Sequence, residues 1–162
     1  MKKLLIVIFS VFLVGSSVFA VTYNSNPKIF ITELVGDAMK TLNDKEISVA
    51  DKNKAIEEIA LENVDIKALG MYTLGDIRKT LDSETLSEYN KLFEKYFLKS
   101  LTSRLNDYKS TEFEVTDAEQ TSANYTIVKS RIPQTTSQPE IKIDWRVYTK
   151  DPMKPLIRDL IV

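Results

Sequence analysis

Residues 63–93 read NVDIKALGMYTLGDIRKTLDSETLSEYNKLF, and this stretch indicates how the chain folds. Asp65 has the side chain of a helix N-cap and predicts a short helix that runs through residue 71 or 72. Leu74-Gly75 predicts a turn, a basic pair follows at Arg78-Lys79, and residues 82–83 predict the start of a second, longer helix. The stretch therefore joins two helices through a tight turn and contains no evident catalytic group.

The sequence on either side of this stretch predicts further helices. Pro27 after Asn26 is typical of a helix start, and apolar residues then recur at spacings of three and four as far as Leu42. A second amphipathic helix is predicted over residues 51–64. The long helix, Ser83–Leu105, carries the stripe Leu86, Tyr89, Phe93, Phe97, Leu101 and Leu105.

Beyond residue 107 the apolar period changes from 3.6 to 2, which predicts strands. Apolar side chains alternate with their neighbours around Phe113, Ile127 and Trp145, which predicts three strands. A fourth strand is predicted over residues 156–162. Strands so close in sequence favour an antiparallel meander. The predicted fold class is α+β: helices first, then a curled four-stranded sheet with the long helix across its concave face, enclosing an apolar cavity.

The first twenty residues predict a cleaved signal peptide. A basic start at Lys2 and Lys3 precedes an apolar run over 4–14, and Val18-Phe19-Ala20 has the small-x-small form of a cleavage site after Ala20. An uncleaved membrane tether is the alternative. The mature chain, residues 21–162, has the length of a single domain, and the signal peptide predicts a periplasmic location.

Composition excludes several kinds of function. The chain has no histidine and no cysteine, so the commonest general base, thiol nucleophile and transition-metal ligands are absent. The net charge of −1 gives no basic field for nucleic acid. No catalytic residue, metal site or cofactor is predicted. A small hydrolase that uses Asp144 and Asp159 stays open as an alternative, although an outward strand residue paired with a lysine or arginine explains Asp144 more simply.

The order of these elements resembles the MlaC, or toluene-tolerance, family of periplasmic phospholipid-binding proteins. In that family a Val-Asp pair, a small residue, an aromatic residue and Leu-Gly precede a basic residue and a capped amphipathic helix. The matching residues here are Val64, Asp65, Gly70, Tyr72, Leu74 and Gly75. The strand with Asp144-Trp145-Arg146 and the closing segment 154–162 follow in family order. Arg78 stands where an aromatic residue is frequent in the family. The sequence ends at Val162, where family members usually continue, so we expect either a truncated C-terminus or a cavity more open than is usual in the family.

The resemblance implies a carrier that holds acyl chains in an apolar cavity. The residues it suggests as lipid contacts are Leu69, Tyr72, Leu74, Tyr89, Phe93, Phe97, Leu101, Ile127, Trp145 and Val147. Arg78 and Lys79 would lie at the mouth near the head group, or would instead neutralise a helix C-terminus. Implied partners are phospholipid, an inner-membrane ABC transporter complex with its substrate-binding domain subunit, and an outer-membrane lipoprotein–porin complex, in a route that maintains outer-membrane lipid asymmetry. From periodicity alone, a periplasmic interaction module with a filled core and no ligand remains the alternative.

Overall fold

The computed structural model describes residues 22–106, 112–136 and 139–162. Four α-helices precede four strands: α1 Pro27–Asn43, α2 Val49–Asn63, α3 Ile66–Thr73, α4 Ser83–Asn106, β1 Glu114–Ser122, β2 Tyr125–Ile132, β3 Ile141–Tyr148 and β4 Leu156–Ile161. The predicted α+β class is confirmed. The predicted signal peptide and its cleavage site at Ala20 lie outside the described residues, and within these residues no helix has the length and apolarity to span a bilayer.

The helix starts follow from the capping side chains in the sequence. Asn26 accepts hydrogen bonds from the backbone N–H groups of residues 28 and 29 at the start of α1. The Asp65 carboxylate accepts from Ala68 N at 3.0 Å and begins α3. Asp82 caps α4 by accepting from Thr85 N at 2.8 Å and from the Thr85 hydroxyl at 2.9 Å, and these hydrogen bonds lower the pKa of Asp82.

The α3–α4 connection turns at Gly75, which has a φ of +54°. A side chain in this left-handed region would be strained, so the Leu74-Gly75 pair predicted as a turn acts as one. A short 3-10 helix, Gly75–Lys79, then leads to the α4 cap.

The sheet is an antiparallel meander in the order β1-β2-β3-β4. Its inner face, covered by helices, includes Thr126, Val128, Ser130 and Ile132 of β2, which are all buried. In register, Val128 lies opposite Trp145, and Ser130 opposite Ile143, so alternate residues of β3 share that face. The residues between them form the outer face.

The packed core lies between α1 and the inner face. Phe30, Ile31 and Leu34 of α1 contact the core residues Tyr23, Val128, Val147 and Ile157. Two helix backbones approach the sheet: α1 lies on β1 and β2, and α3 lies beside β4. Helix α4 packs on α3 and α2. The side chains that α1 buries in this position are Phe30, Ile31 and Leu34.

Tyr23 predicts a specific alkaline sensitivity of the fold. It is 9% exposed and contacts Phe30 edge to face, with ring centroids 6.1 Å apart. Burial and the nearby Asp37 carboxylate raise the pKa of Tyr23 to about 12, from 10.0. A pKa raised in the folded state favours the neutral phenol there. Its stabilising contribution is complete below pH 10 and is lost as the pH rises through 12.

We therefore expect the free energy of unfolding to fall more steeply between pH 10 and pH 12 for wild type than for Tyr23→Phe. Urea unfolding of both chains at several pH values measures this difference. Lysine deprotonation affects both chains equally, so the variant corrects for it. Identical slopes would show that the phenol does not titrate with the fold.

Candidate functional site

Three aromatic side chains of α4 form a continuous stacked series, which we call the aromatic row: Tyr89, Phe93 and Phe97. The first two ring centroids are 5.9 Å apart and the next two 6.3 Å, with interplanar angles of 27° and 21°. Spacings of four residues place all three on one face of α4. All three are only half-buried, so the protein's own packing leaves part of this apolar surface uncovered.

Helix α3 supports one end of the aromatic row. An added Cβ at Gly70 would come within 2.9 Å of the Phe93 ring, so the absence of a side chain lets the two helices approach closely. The Tyr89 hydroxyl shares a 2.7 Å hydrogen bond with the Thr73 hydroxyl, which also donates to Gly70 O. These contacts explain why a small residue is needed at position 70, which is the small position of the family pattern that also includes Val64, Asp65, Tyr72 and Leu74-Gly75.

The other predicted lipid contacts of the helices divide by exposure. Leu69, Leu74 and Leu101 are half-buried, like the aromatic row. Tyr72 is 68% exposed, so its side chain extends into solvent from α3. Tyr72 is thus more open to solvent than the other predicted contacts of the helices.

Trp145 provides a half-buried apolar group on the inner face of the sheet. Its ring meets Phe113 edge to face at 6.2 Å, and its indole N–H donates to Ser130 Oγ at 2.8 Å. Ser130 Oγ in turn donates to Ile143 O at 3.0 Å, so the tryptophan has a fixed orientation. The same face carries the half-buried Ile143, which was not among the lipid contacts predicted from the sequence.

Two of the predicted contacts lie elsewhere in the sheet. Ile127 is on the outer face, opposite Glu119 and Arg146 in register. Successive side chains of a strand point to opposite faces, and the inner-face residues next to Ile127 are Thr126 and Val128. This outer face is charged: Arg131 pairs with Glu114 at 2.7 Å. Val147 is on the inner face but is 0% exposed in the core under α1. Neither residue has surface free for a ligand where the prediction placed it.

Arg78 and Lys79, the predicted mouth residues, differ in their partners. Lys79 pairs with Asp76 at 2.6 Å. Arg78 is half-buried and donates to Met71 O at 3.1 Å, near the C-terminus of α3. Within the described ranges no carboxylate lies within 4.0 Å of the Arg78 guanidinium. The Arg78 contact with Met71 O matches the alternative in which the arginine interacts with the C-terminal end of α3, whereas Lys79 pairs with a carboxylate on the exposed surface.

Two pockets that open to solvent lie on the described surface, and none of the residues that line them is a predicted lipid contact. One, of about 310 Å³, lies between the start of α1, the end of α2 and the β3–β4 loop, and includes Tyr23, Glu62 and Lys154. The other, of about 430 Å³, follows one face of α4 past Tyr96 and Arg104. An enclosed apolar cavity beside the aromatic row therefore stays a prediction.

The carboxylates considered for a hydrolase lie on the outer face of the sheet. Asp144 is opposite Lys129 in register, and Asp159 is opposite Arg146. This matches the simpler explanation of outward strand residues beside a cation. In the described part of the chain no three acidic, histidine or cysteine side chains gather in a group suited to a metal ion.

The structure also joins residues that the sequence did not connect. Arg158 Nε and Nη2 both lie 2.8 Å from Asp65 Oδ2, and Arg158 Nη1 donates to the Tyr125 hydroxyl at 3.2 Å. The guanidinium stands 3.4 Å over the Tyr148 ring. Burial opposes the charge, but the hydrogen bonds to Tyr125 and Asp65 raise the pKa of Arg158 on balance. The cluster fixes the start of α3 to β4.

A family model described as MlaC protein matches residues 32–162. The chain belongs to the MlaC family. No curated protein sequence matches this MlaC-family chain.

One solved structure similar to this MlaC-family chain is a phospholipid-binding protein from Ralstonia solanacearum, determined in complex with a phospholipid. The two have a TM-score of 0.66 and 12% sequence identity, and the match covers 86% of this chain and 78% of the other. At that identity the likeness establishes the fold. It agrees with the four helices and antiparallel sheet described above.

Proposed function

We propose that this MlaC-family chain is a periplasmic phospholipid carrier and not an enzyme. The observation that carries the proposal is the aromatic row: three stacked rings on the longest helix that the protein's own core leaves half-covered. Membership of the MlaC family and a similar fold in a protein solved with a phospholipid support the same reading.

Apolar burial provides the binding energy in this proposal. Each methylene group removed from water contributes about 0.8 kcal/mol, so acyl chains bind strongly without a dedicated head-group site. Leu69, Leu74 and Leu101 would extend the surface of the aromatic row, and Trp145 would contribute from the sheet. We leave Tyr72, Ile127 and Val147 out of the proposed contacts because of their positions.

Arg78 is the proposed partner of the lipid phosphate. It lies just after α3 and, within the described ranges, has no carboxylate in ion-pair distance. A guanidinium can bind phosphate oxygens through two parallel hydrogen bonds. Lys79 is a weaker candidate because it already pairs with the Asp76 carboxylate.

As a carrier, the protein would receive phospholipid from one membrane complex and deliver it to another. The proposed partners are an inner-membrane ABC transporter complex with its substrate-binding domain subunit, and an outer-membrane lipoprotein–porin complex. Transfer in one direction requires an affinity between those of the two partners, with the free energy coming from the transporter. This route would maintain the lipid asymmetry of the outer membrane.

The test is to express the full chain with its own leader in a bacterium with two membranes and to purify it from the periplasmic extract without detergent. Native mass spectrometry should show a start near residue 21 and a discrete added mass equal to one phospholipid, which organic extraction then identifies. An exported protein without added mass would contradict the carrier and favour the interaction module with a filled core. An uncleaved chain in the membrane fraction would contradict the leader prediction.

A further inference from the structure

Asn90 is a polar residue on the apolar face of α4. It lies four residues after Leu86, three before Phe93 and seven before Phe97, so all four side chains share one side of the helix. The Asn90 Oδ1 atom is buried and has no hydrogen-bond partner among the described residues. The fold therefore leaves this oxygen without a hydrogen-bond donor.

A buried polar atom without a partner is rare in folded proteins and calls for an explanation. Leucine at position 90 would match its apolar neighbours, have a similar size and avoid the cost of removing an amide from water. The polar side chain thus gives the protein no stability that we can identify in its own contacts. Its position beside the aromatic row suggests that its partner belongs to the bound ligand.

Phospholipid chemistry indicates which group this partner is. A diacyl lipid whose chains lie on an apolar surface brings its ester carbonyls to the edge of that surface, where they lose water. Carbonyl oxygens only accept hydrogen bonds, and the carboxamide nitrogen of asparagine provides two N–H donors. An ester carbonyl cannot pair with Oδ1, which is also an acceptor. Rotation by half a turn about the last side-chain bond places the nitrogen where Oδ1 stands, with its donors toward the ligand, and moves Oδ1 to the position of the nitrogen, which is not a buried site without a partner.

We propose that the Asn90 carboxamide donates a hydrogen bond to an acyl ester carbonyl of the bound lipid, so that the site prefers diacyl ester lipids over dialkyl ether lipids. The inference rests on the proposed function. It specifies that the ligand is an ester-linked lipid. Apolar burial alone cannot discriminate ester from ether lipids, because both can carry chains of the same length.

The test is an internal competition in the exported protein. Wild type is incubated with vesicles that contain equal amounts of diester phosphatidylethanolamine and its dialkyl ether analogue of the same chain length. The two lipids differ in mass, so one native mass spectrum counts both complexes. We expect roughly fivefold more ester complex for wild type, as one net hydrogen bond provides, and a ratio near one for Asn90→Leu. Ser87→Ala, an exposed change on the same helix, should keep the wild-type ratio.

The outcomes separate the two proposals. A ratio near one in wild type overturns the inference but leaves the carrier intact, and this measurement needs no variant to fold. A fivefold ratio that persists in Asn90→Leu also overturns it, because the selectivity then arises elsewhere. If wild type binds neither lipid, the proposed function fails, and the inference fails with it.

Discussion

Phe97→Asp is expected to reduce the phospholipid that co-purifies with the exported chain to less than about a tenth of the wild-type amount. Phe97 ends the aromatic row and is only half-buried, so the substitution leaves the packed core under α1 untouched. An ionised carboxylate placed against acyl chains loses its hydration without gaining a partner, which costs several kcal/mol. A loss of 1.4 kcal/mol already corresponds to a tenfold change in affinity.

The matched control is Leu92→Asp, which introduces the same charge on the same helix at a side chain that is 60% exposed. We expect this variant to retain its lipid. Native mass spectrometry gives the lipid-bound fraction, and thermal unfolding of both variants shows whether each is folded. Full lipid retention by Phe97→Asp, or equal loss from both variants, would contradict a lipid site at the aromatic row.

The second large effect concerns stability. Arg158→Gln should lower the free energy of unfolding by about 3 kcal/mol, because it leaves the partly buried Asp65 carboxylate without its cation. It also removes the guanidinium from the Tyr148 ring, a contact 3.4 Å from the ring centroid. For a chain of this size the melting temperature should fall by about 6–12 °C. Urea unfolding of the lipid-free protein measures the change.

A double-mutant cycle isolates the ion pair. Asp65→Asn keeps a side chain that can cap α3, so the cycle with Arg158→Gln reports the Asp65–Arg158 coupling with little contribution from the cap. Lys79→Gln is the control, because its pair with Asp76 is 68% and 89% exposed and should contribute less than about 1 kcal/mol. If Arg158→Gln and Lys79→Gln lowered the free energy of unfolding by equal amounts, the Asp65–Arg158 pair would not fix α3 to β4.

Local chemistry explains why much of the fold could be predicted. The caps at Asn26, Asp65 and Asp82, and the turn at Gly75, act within a few residues, so each is readable from its neighbours. The change of apolar period after the long helix likewise reports local backbone geometry. The family resemblance added the expectation of a lipid site, which periodicity could not distinguish from an ordinary core.

The residues that the sequence suggested as lipid contacts lie on different surfaces of the structure. The aromatic row and Trp145 are half-buried as a ligand surface requires, whereas Val147 is in the core and Ile127 is on the opposite face. Alternation shows that successive strand residues face opposite sides but not which side is covered. Asn90 received no attention because a lone asparagine in a helix is common, and only three-dimensional burial reveals its unpartnered oxygen.

By itself, the sequence determined the four helices, the four strands and the starts and turns between them, because these depend on contacts within one or two turns of chain. Tertiary structure alone decided that α1 covers the sheet while α4 packs on α2 and α3. It alone joined Asp65 to Arg158, which are 93 residues apart. Several amphipathic helices compete for one apolar sheet face, and their relative packing energies, which no single segment contains, select among them.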